Sequence, residues 1–290
     1  MTFQGLMTAL VTPFVEGHID EHRYRGLVTR QIDNNVDGLV PCGTTGEAPT
    51  LSVDEHVEIV RWTVDEAAGR VPVLAGIGSN STATAIATGR AVESLGVQGV
   101  LATAPYYNKP TQEGLYQHFK AIADALSIEV CIYDVPGRSV VHVEPETIER
   151  LSVIENITCV KDATGDMANA AELRVRLGDR LALLSGDDCT TLPFLALGGH
   201  GVISVASNVA PANMKSLVDA ARTGDLTQAR QLSETLFPLF RDLFIESNPI
   251  PCKAAMSHMG LLADELRLPM TCMSDGKRRQ LLETIAALGL

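Results

Sequence analysis

The clearest candidate for covalent chemistry in this sequence is the lysine of Ile157-Thr158-Cys159-Val160-Lys161-Asp162-Ala163-Thr164-Gly165. The run is short, mostly apolar and closed by turn residues, which is the pattern of a buried strand. Side chains alternate along a strand, so Lys161 is expected to share a face with Ile157, Cys159 and Ala163. An ammonium on such a face loses hydration, and burial is expected to draw its pKa down from ~10.4 toward neutrality, a desolvation worth roughly 4–5 kcal/mol. The neutral amine attacks carbonyl carbon and forms a Schiff base. Two plainer roles stay open for Lys161 taken alone: snorkelling from a strand end, or pairing with a carboxylate such as Asp162.

Imine chemistry also needs groups that move protons and hold carboxylates. Aromatic residues make up only 4% of the chain, yet Tyr106, Tyr107 and Tyr133 fall near apparent strand ends, as does Thr44. Hydroxyls of Thr44, Tyr107 and Tyr133 can relay protons to and from a carbinolamine. The turn Gly43-Thr44-Thr45-Gly46 can aim successive backbone N–H groups at an anion, and Arg138 in Val135-Pro136-Gly137-Arg138 can clamp a carboxylate in two-point fashion. Each has a plain counterpart: a core tyrosine, an ordinary turn, a surface arginine.

Positioning such groups calls for strands that end together. Eight short apolar runs alternate with helical patterns, beginning at Gly5–Pro13, Leu39–Cys42, Val71–Gly78 and Gly99–Pro105. They continue at Glu129–Pro136, at the Lys161 run, at Leu181–Asp188 and at Gly199–Asn208. Asp20 is expected to cap the first helix, and Ser52 with Glu55 forms a capping box at the second. Eight βα units predict a (β/α)₈ barrel, whose reacting groups stand at the C-terminal strand ends. The barrel is expected over residues 1–224, carrying the active site, and an all-helical region over 225–290, with helices at Leu226–Phe244, Pro249–Leu262 and Asp275–Leu288.

Bulk properties narrow the partners. A net charge of -12 argues against nucleic acid or anionic membrane. The start of the chain lacks a basic, then apolar, leader, and no window approaches the ~20 apolar residues of a membrane span. The six cysteines show no metal-like spacing and several lie in apolar runs, so they are expected to be reduced and buried in a cytoplasmic protein.

Taken together, the motifs resemble the pyruvate-dependent class I aldolase family that includes N-acetylneuraminate lyase. The marks are GLMTALVTP at 5–13, GTTGE at 43–47, APYYNKPTQEGLYQHFKAIA at 104–123, YDVPGR at 133–138 and KDATGD at 161–166. LLSGDD at 183–188, LGGHGVISV at 197–205, NPIPCKAA at 248–255 and Leu268-Pro269-Met270 extend the resemblance nearly end to end. The YYN and P-x-R elements point within that family to members that condense pyruvate with L-aspartate-4-semialdehyde in the diaminopimelate route of lysine biosynthesis. Other pyruvate aldolases, acting on N-acetylneuraminate or 2-keto-3-deoxy sugar acids, generally lack an arginine at the position of Arg138.

The resemblance implies a Schiff base of pyruvate on Lys161, with the pyruvate carboxylate on the Thr44–Thr45 backbone and Ile203 and Gly186 bordering the pocket. It implies proton relay by Tyr133, Thr44 and Tyr107, and Arg138 receiving the second substrate's carboxylate. No metal or organic cofactor is implied. It implies a homotetramer built as a dimer of dimers, with Tyr107 entering the neighbouring subunit's site, and a lysine-binding allosteric pocket near Ala48, Pro49, His56, Asn80 and Tyr106. Lysine-sensitive members carry histidine and glutamate where Val53 and Thr84 stand, so weak or absent inhibition by L-lysine is expected.

Overall fold

The computed structural model describes residues 2–290. Eight parallel strands form its centre: β1 (Gly5–Ala9), β2 (Gly38–Val40), β3 (Leu74–Gly76), β4 (Gly99–Thr103), β5 (Glu129–Asp134), β6 (Ile157–Asp162), β7 (Ala182–Ser185) and β8 (Gly201–Ser204). Their hydrogen-bonded order is β2-β1-β8-β7-β6-β5-β4-β3. A parallel bridge between Leu39 and Val73 joins the two end strands and closes the cylinder. Closure leaves no free edge, so every strand is covered on both faces and reads as a continuous apolar run.

Eight helices wrap the barrel: α1 (Glu21–Asp33), α2 (Val53–Ala67), α3 (Thr82–Glu93), α4 (Gln112–Ala125), α5 (Pro145–Leu151), α6 (Met167–Leu177), α7 (Thr191–Ala196) and α8 (Pro211–Arg222). Their starts follow from side-chain caps. Asp20 accepts the Arg23 amide, and Ser52 and Glu55 complete a reciprocal box. Three more helices follow, α9 (Leu226–Asp242), α10 (Ile250–His258) and α11 (Asp275–Ala287). Among the described residues no helix is long and apolar enough to cross a membrane.

The core has two parts. Met7, Leu74, Leu101, Cys131, Cys159, Leu184 and Ile203 fill the barrel interior. Residues of opposite parity, such as Leu6, Val100, Ile132, Val160 and Val202, pack outward against the helices. Ile157 departs from the face expected of it and joins the outer layer, while Cys159 and Lys161 face inward. The cause is a register irregularity: Val130 pairs with Ile157 but Cys131 pairs with Cys159, so β6 carries one extra residue at its entry and the alternation slips there.

Several strands are shorter than their apolar runs. β1 stops at Ala9, and the chain then forms a two-residue hairpin, Phe14–Val15 with His18–Ile19, that the sequence did not signal. Val71–Gly78 contributes only Leu74–Gly76 as strand. The flanking residues Leu10, Val73 and Ile77 are buried and make single contacts to neighbouring strands, which keeps them apolar without extending the continuous ladder. The helices expected in the tail begin within one residue of prediction but stop earlier, at Asp242, His258 and Ala287.

Candidate active site

The C-terminal strand ends surround a cavity of about 510 Å³, lined by Thr44, Thr45, Tyr133, Arg138, Lys161 and Gly186 among others. Lys161 sits near the end of β6, 6% exposed, with Nζ 4.1 Å from the centre of the Tyr133 ring. Tyr133 is its in-register partner on β5. The pairing with Asp162 left open by the sequence is absent. Asp162 turns to the other face, where Thr164 N (2.8 Å), Thr164 Oγ1 (2.6 Å) and Asn169 Nδ2 (3.0 Å) donate to it. Among the described residues no carboxylate forms a salt bridge with Lys161. A buried amine without a counter-ion is rare in folded proteins, which makes Lys161 the candidate group for chemistry in this cavity.

Gly186 keeps room for that amine. A Cβ there would lie 2.7 Å from Ala163 Cβ and 3.0 Å from Lys161 Cε. Gly186→Ala should therefore displace the lysine side chain and lower kcat/KM by roughly 100-fold, since small misplacements of a reacting group cost about that much. Steady-state assay with a thermal melt checks this; unchanged kinetics would show that the cavity yields at no cost.

The Gly43–Gly46 turn is tied internally by Gly46 N–H to Gly43 O (3.1 Å) and Glu47 N–H to Thr44 O (3.1 Å). Among the described residues the N–H groups of Thr44 and Thr45 meet no protein acceptor, which leaves two adjacent donors for an anion. Behind the turn, Asn248 Nδ2 donates to Thr45 Oγ1 (2.9 Å), and the Thr12 hydroxyl donates to Gly46 O (2.8 Å). Glu47 adopts left-handed φ of 56° and accepts from Lys253 Nζ (2.7 Å). That lysine is fully buried on α10, also donates to Thr12 O (2.8 Å), and lies over the Phe14 ring. Burial draws the Lys253 pKa down, and Glu47 opposes the shift.

Arg138 stands on a one-turn helix, Pro136–Ser139, after β5, and its Nη2 donates to Asn248 O (3.1 Å). Ile203, expected to border the pocket through its main chain, has its side chain buried in the inner core, and Val205, two residues on, lines the cavity. Tyr107 is not brought into this cavity: it is 87% exposed with φ of 74°, a conformation that costs a non-glycine residue about 1–2 kcal/mol. Tyr106 is also partly exposed and borders a second cavity of about 390 Å³, which shares Thr44, Tyr133 and Arg138 with the first. Ala48, Pro49, His56, Val53 and Thr84 line that second space. Asn80 is not part of its lining; its carbonyl accepts from Asn108 Nδ2 (2.8 Å). His56 contacts Gly76 O at 2.8 Å; burial pulls its pKa down, and that contact opposes the shift.

The model of the dihydrodipicolinate synthetase family matches residues 2–288. The chain belongs to that family. It is 50% identical over 288 residues to the 4-hydroxy-tetrahydrodipicolinate synthase of Afipia carboxidovorans, covering 99% of this chain and 97% of that one. Its fold is similar to the crystal structure of dihydrodipicolinate synthase from Aquifex aeolicus, with a TM-score of 0.98, 44% identity and 99% of both chains covered. The chloride-inhibited Acinetobacter baumannii dihydrodipicolinate synthase complexed with pyruvate is as similar in fold, with a TM-score of 0.98, 42% identity and 99% of both chains covered.

Within this dihydrodipicolinate synthetase fold, residues assigned no role from sequence also build the cavity. Phe244, Ser247 and Asn248 come from the tail, between α9 and α10. Behind the cavity, Asp188, three residues beyond β7, is buried and accepts the Val205 (3.0 Å) and Ala206 (2.8 Å) amides, which fixes the exit of β8. The run NPIPCKAA carried a usable signal, since Lys253 interrupts an apolar helix much as Lys161 interrupts an apolar strand.

Proposed function

We propose that the chain performs the 4-hydroxy-tetrahydrodipicolinate synthase reaction with the following assignment of residues. Lys161 Nζ attacks the keto carbon of pyruvate, and water leaves to give the imine. Loss of a methyl proton converts it to the enamine, whose carbon attacks the aldehyde of L-aspartate-4-semialdehyde; the former aldehyde oxygen gains a proton. The second substrate's amine then adds to the imine carbon, expels Lys161 and closes a six-membered ring. The lysine is itself the electron sink.

Thr44 and Thr45 N–H groups take the pyruvate carboxylate, while Tyr133 and Thr44 handle the protons with Tyr107 supplied by a second copy. Arg138 takes the second carboxylate, and Gly186 leaves space beside the amine. The observation that carries this reading is the unpaired, buried Lys161 amine in one cavity with the Thr44–Thr45 donors and Arg138. In this reading residues 1–224 supply the reacting groups and 225–290 buttress them. Sodium borohydride with pyruvate should fix a covalent adduct on Lys161, located by mass spectrometry. Product should form with aspartate semialdehyde and not with N-acetylneuraminate. Absence of the adduct would defeat the assignment.

A homotetramer, as a dimer of dimers in the cytoplasm, accompanies the proposal. An exposed tyrosine held in a costly backbone conformation is explained if Tyr107 is covered by another copy. Inhibition by L-lysine should be weak. No Asp or Glu lines the second cavity, so a ligand ammonium there lacks a charged partner, a loss commonly above about 1 kcal/mol. A lysine titration of the rate checks this, and half-inhibition below the millimolar range would contradict it.

A further inference from the structure

β5 ends in two residues that face opposite ways. Tyr133 turns to the cavity, and Asp134 turns out of it with 1% exposure. Asp134 Oδ2 lies 2.6 Å from His142 Nδ1, and Asp134 Oδ1 accepts the Val143 amide at 3.1 Å. Both contacts cross the ends of the segment 135–141, so they close its base. Inside the segment the Ser139 hydroxyl reaches the carbonyls of Val135 (3.0 Å) and Val141 (2.7 Å). Arg138 stands on the one-turn helix of this closed segment.

The electrostatic setting singles out the base contact. Asp162, the in-register neighbour of Asp134 on β6, is also buried and has no ion-pair partner among the described residues. The ionisable groups acting on the His142 ring are Asp134 and Asp162 from the two strands and Glu144 from the approach to α5. From α4 the neutral Gln112 donates its Nε2 to His142 O (2.8 Å). The His142 ring therefore lies in the field of two adjoining buried carboxylates and bonds directly to one of them.

We propose that the Asp134–His142 pair is a positioning device for Arg138: the charged ring closes the base of the 135–141 segment and sets the guanidinium for the second substrate's carboxylate, and the uncharged ring releases it. This rests on the Arg138 assignment made above. The hydrogen bond to Asp134 raises the His142 pKa above its ordinary 6.5, with burial opposing. A raised histidine pKa means that the stabilising charge is fully present below about pH 6.5 and is lost as pH rises through the folded-state value.

The test is steady-state kinetics of the full chain and of His142→Gln and Asp134→Asn, from about pH 6 to about pH 9, with borohydride trapping of pyruvate alongside. In the unsubstituted enzyme KM for the aldehyde should rise roughly 10-fold over that window, about 1.4 kcal/mol, while trapping yield stays level. Ionisation of the substrate's own amine is common to all three proteins and cancels in their ratios. His142→Gln should show the high KM throughout. Asp134→Asn, which keeps an acceptor for Val143 but removes the charged partner of the His142 ring, should likewise show the high KM with no added slope. An unchanged slope in His142→Gln, or aldehyde and pyruvate constants moving together, would overturn the proposal alone. Failure of trapping in the unsubstituted enzyme would overturn the reaction and this proposal with it.

Discussion

Lys161→Met should abolish the borohydride-trapped pyruvate adduct, lower turnover by at least ~10³-fold, as loss of a covalent nucleophile does, and leave the protein more heat-stable than before. The first two results follow from loss of the nucleophile. The third follows from its surroundings. The side chain is 6% exposed, and among the described residues it forms no salt bridge and meets only the Tyr133 ring, at 4.1 Å, as compensation for its charge. Such a contact offsets about 0.5–2 kcal/mol, less than the cost of taking an ammonium out of water. Methionine has nearly the same length and no charge, so a net gain of about 1 kcal/mol is expected, a rise of about 2 °C in Tm for a domain this large. Thermal melts with intact-mass analysis of the trapping reaction check it. A Tm lower by several degrees would make Lys161 a structural residue.

The opposite result is expected at the other buried lysine. Lys253→Met leaves the Glu47 carboxylate nearly fully buried without its cation, a change that costs about 3–5 kcal/mol. A fall in Tm on the order of 10 °C should follow. Glu47 Oε2 still accepts the Arg267 amide (3.1 Å), which keeps the loss short of the isolated-charge limit. Because Glu47 directly follows the Gly43–Gly46 turn, pyruvate trapping should weaken before aldehyde binding does. Glu47→Gln combined with Lys253→Met removes both charges together and should recover most of the lost stability. A double variant as unstable as the single one would show that packing around α10, not charge, holds the turn.

These two lysines mark where local sequence stops being informative. Each interrupts an apolar run, one at 157–163 and one at 250–256. That pattern is silent on their partners. The counter-ion of Lys253 is 206 residues away, across the joint between tail and barrel, whereas the carboxylate adjacent to Lys161 in sequence faces away from it.

The same division runs through the rest of the molecule. Eight apolar runs spaced by amphipathic helices were enough to specify a parallel barrel, because a strand covered on both faces can only be built from continuous apolar sequence. Capping residues specified helix starts, because their hydrogen bonds span three positions. Strand length was not legible: residues buried at the barrel ends are as apolar as those that pair, so β1 and β3 are shorter than their runs. The extra residue at the entry of β6 was hidden, since a bulge depends on the neighbouring strand's register. The carbonyl of Asn248 under Arg138, its amide on Thr45, and the closure of the 135–141 segment by Asp134 also needed coordinates. The sequence by itself determined the barrel and singled out Lys161 and the groups named with it, all from local pattern and motif. Only the tertiary structure decided which charges stay unpaired and what holds each loop at the strand ends, because those interactions join residues that no local spacing relates.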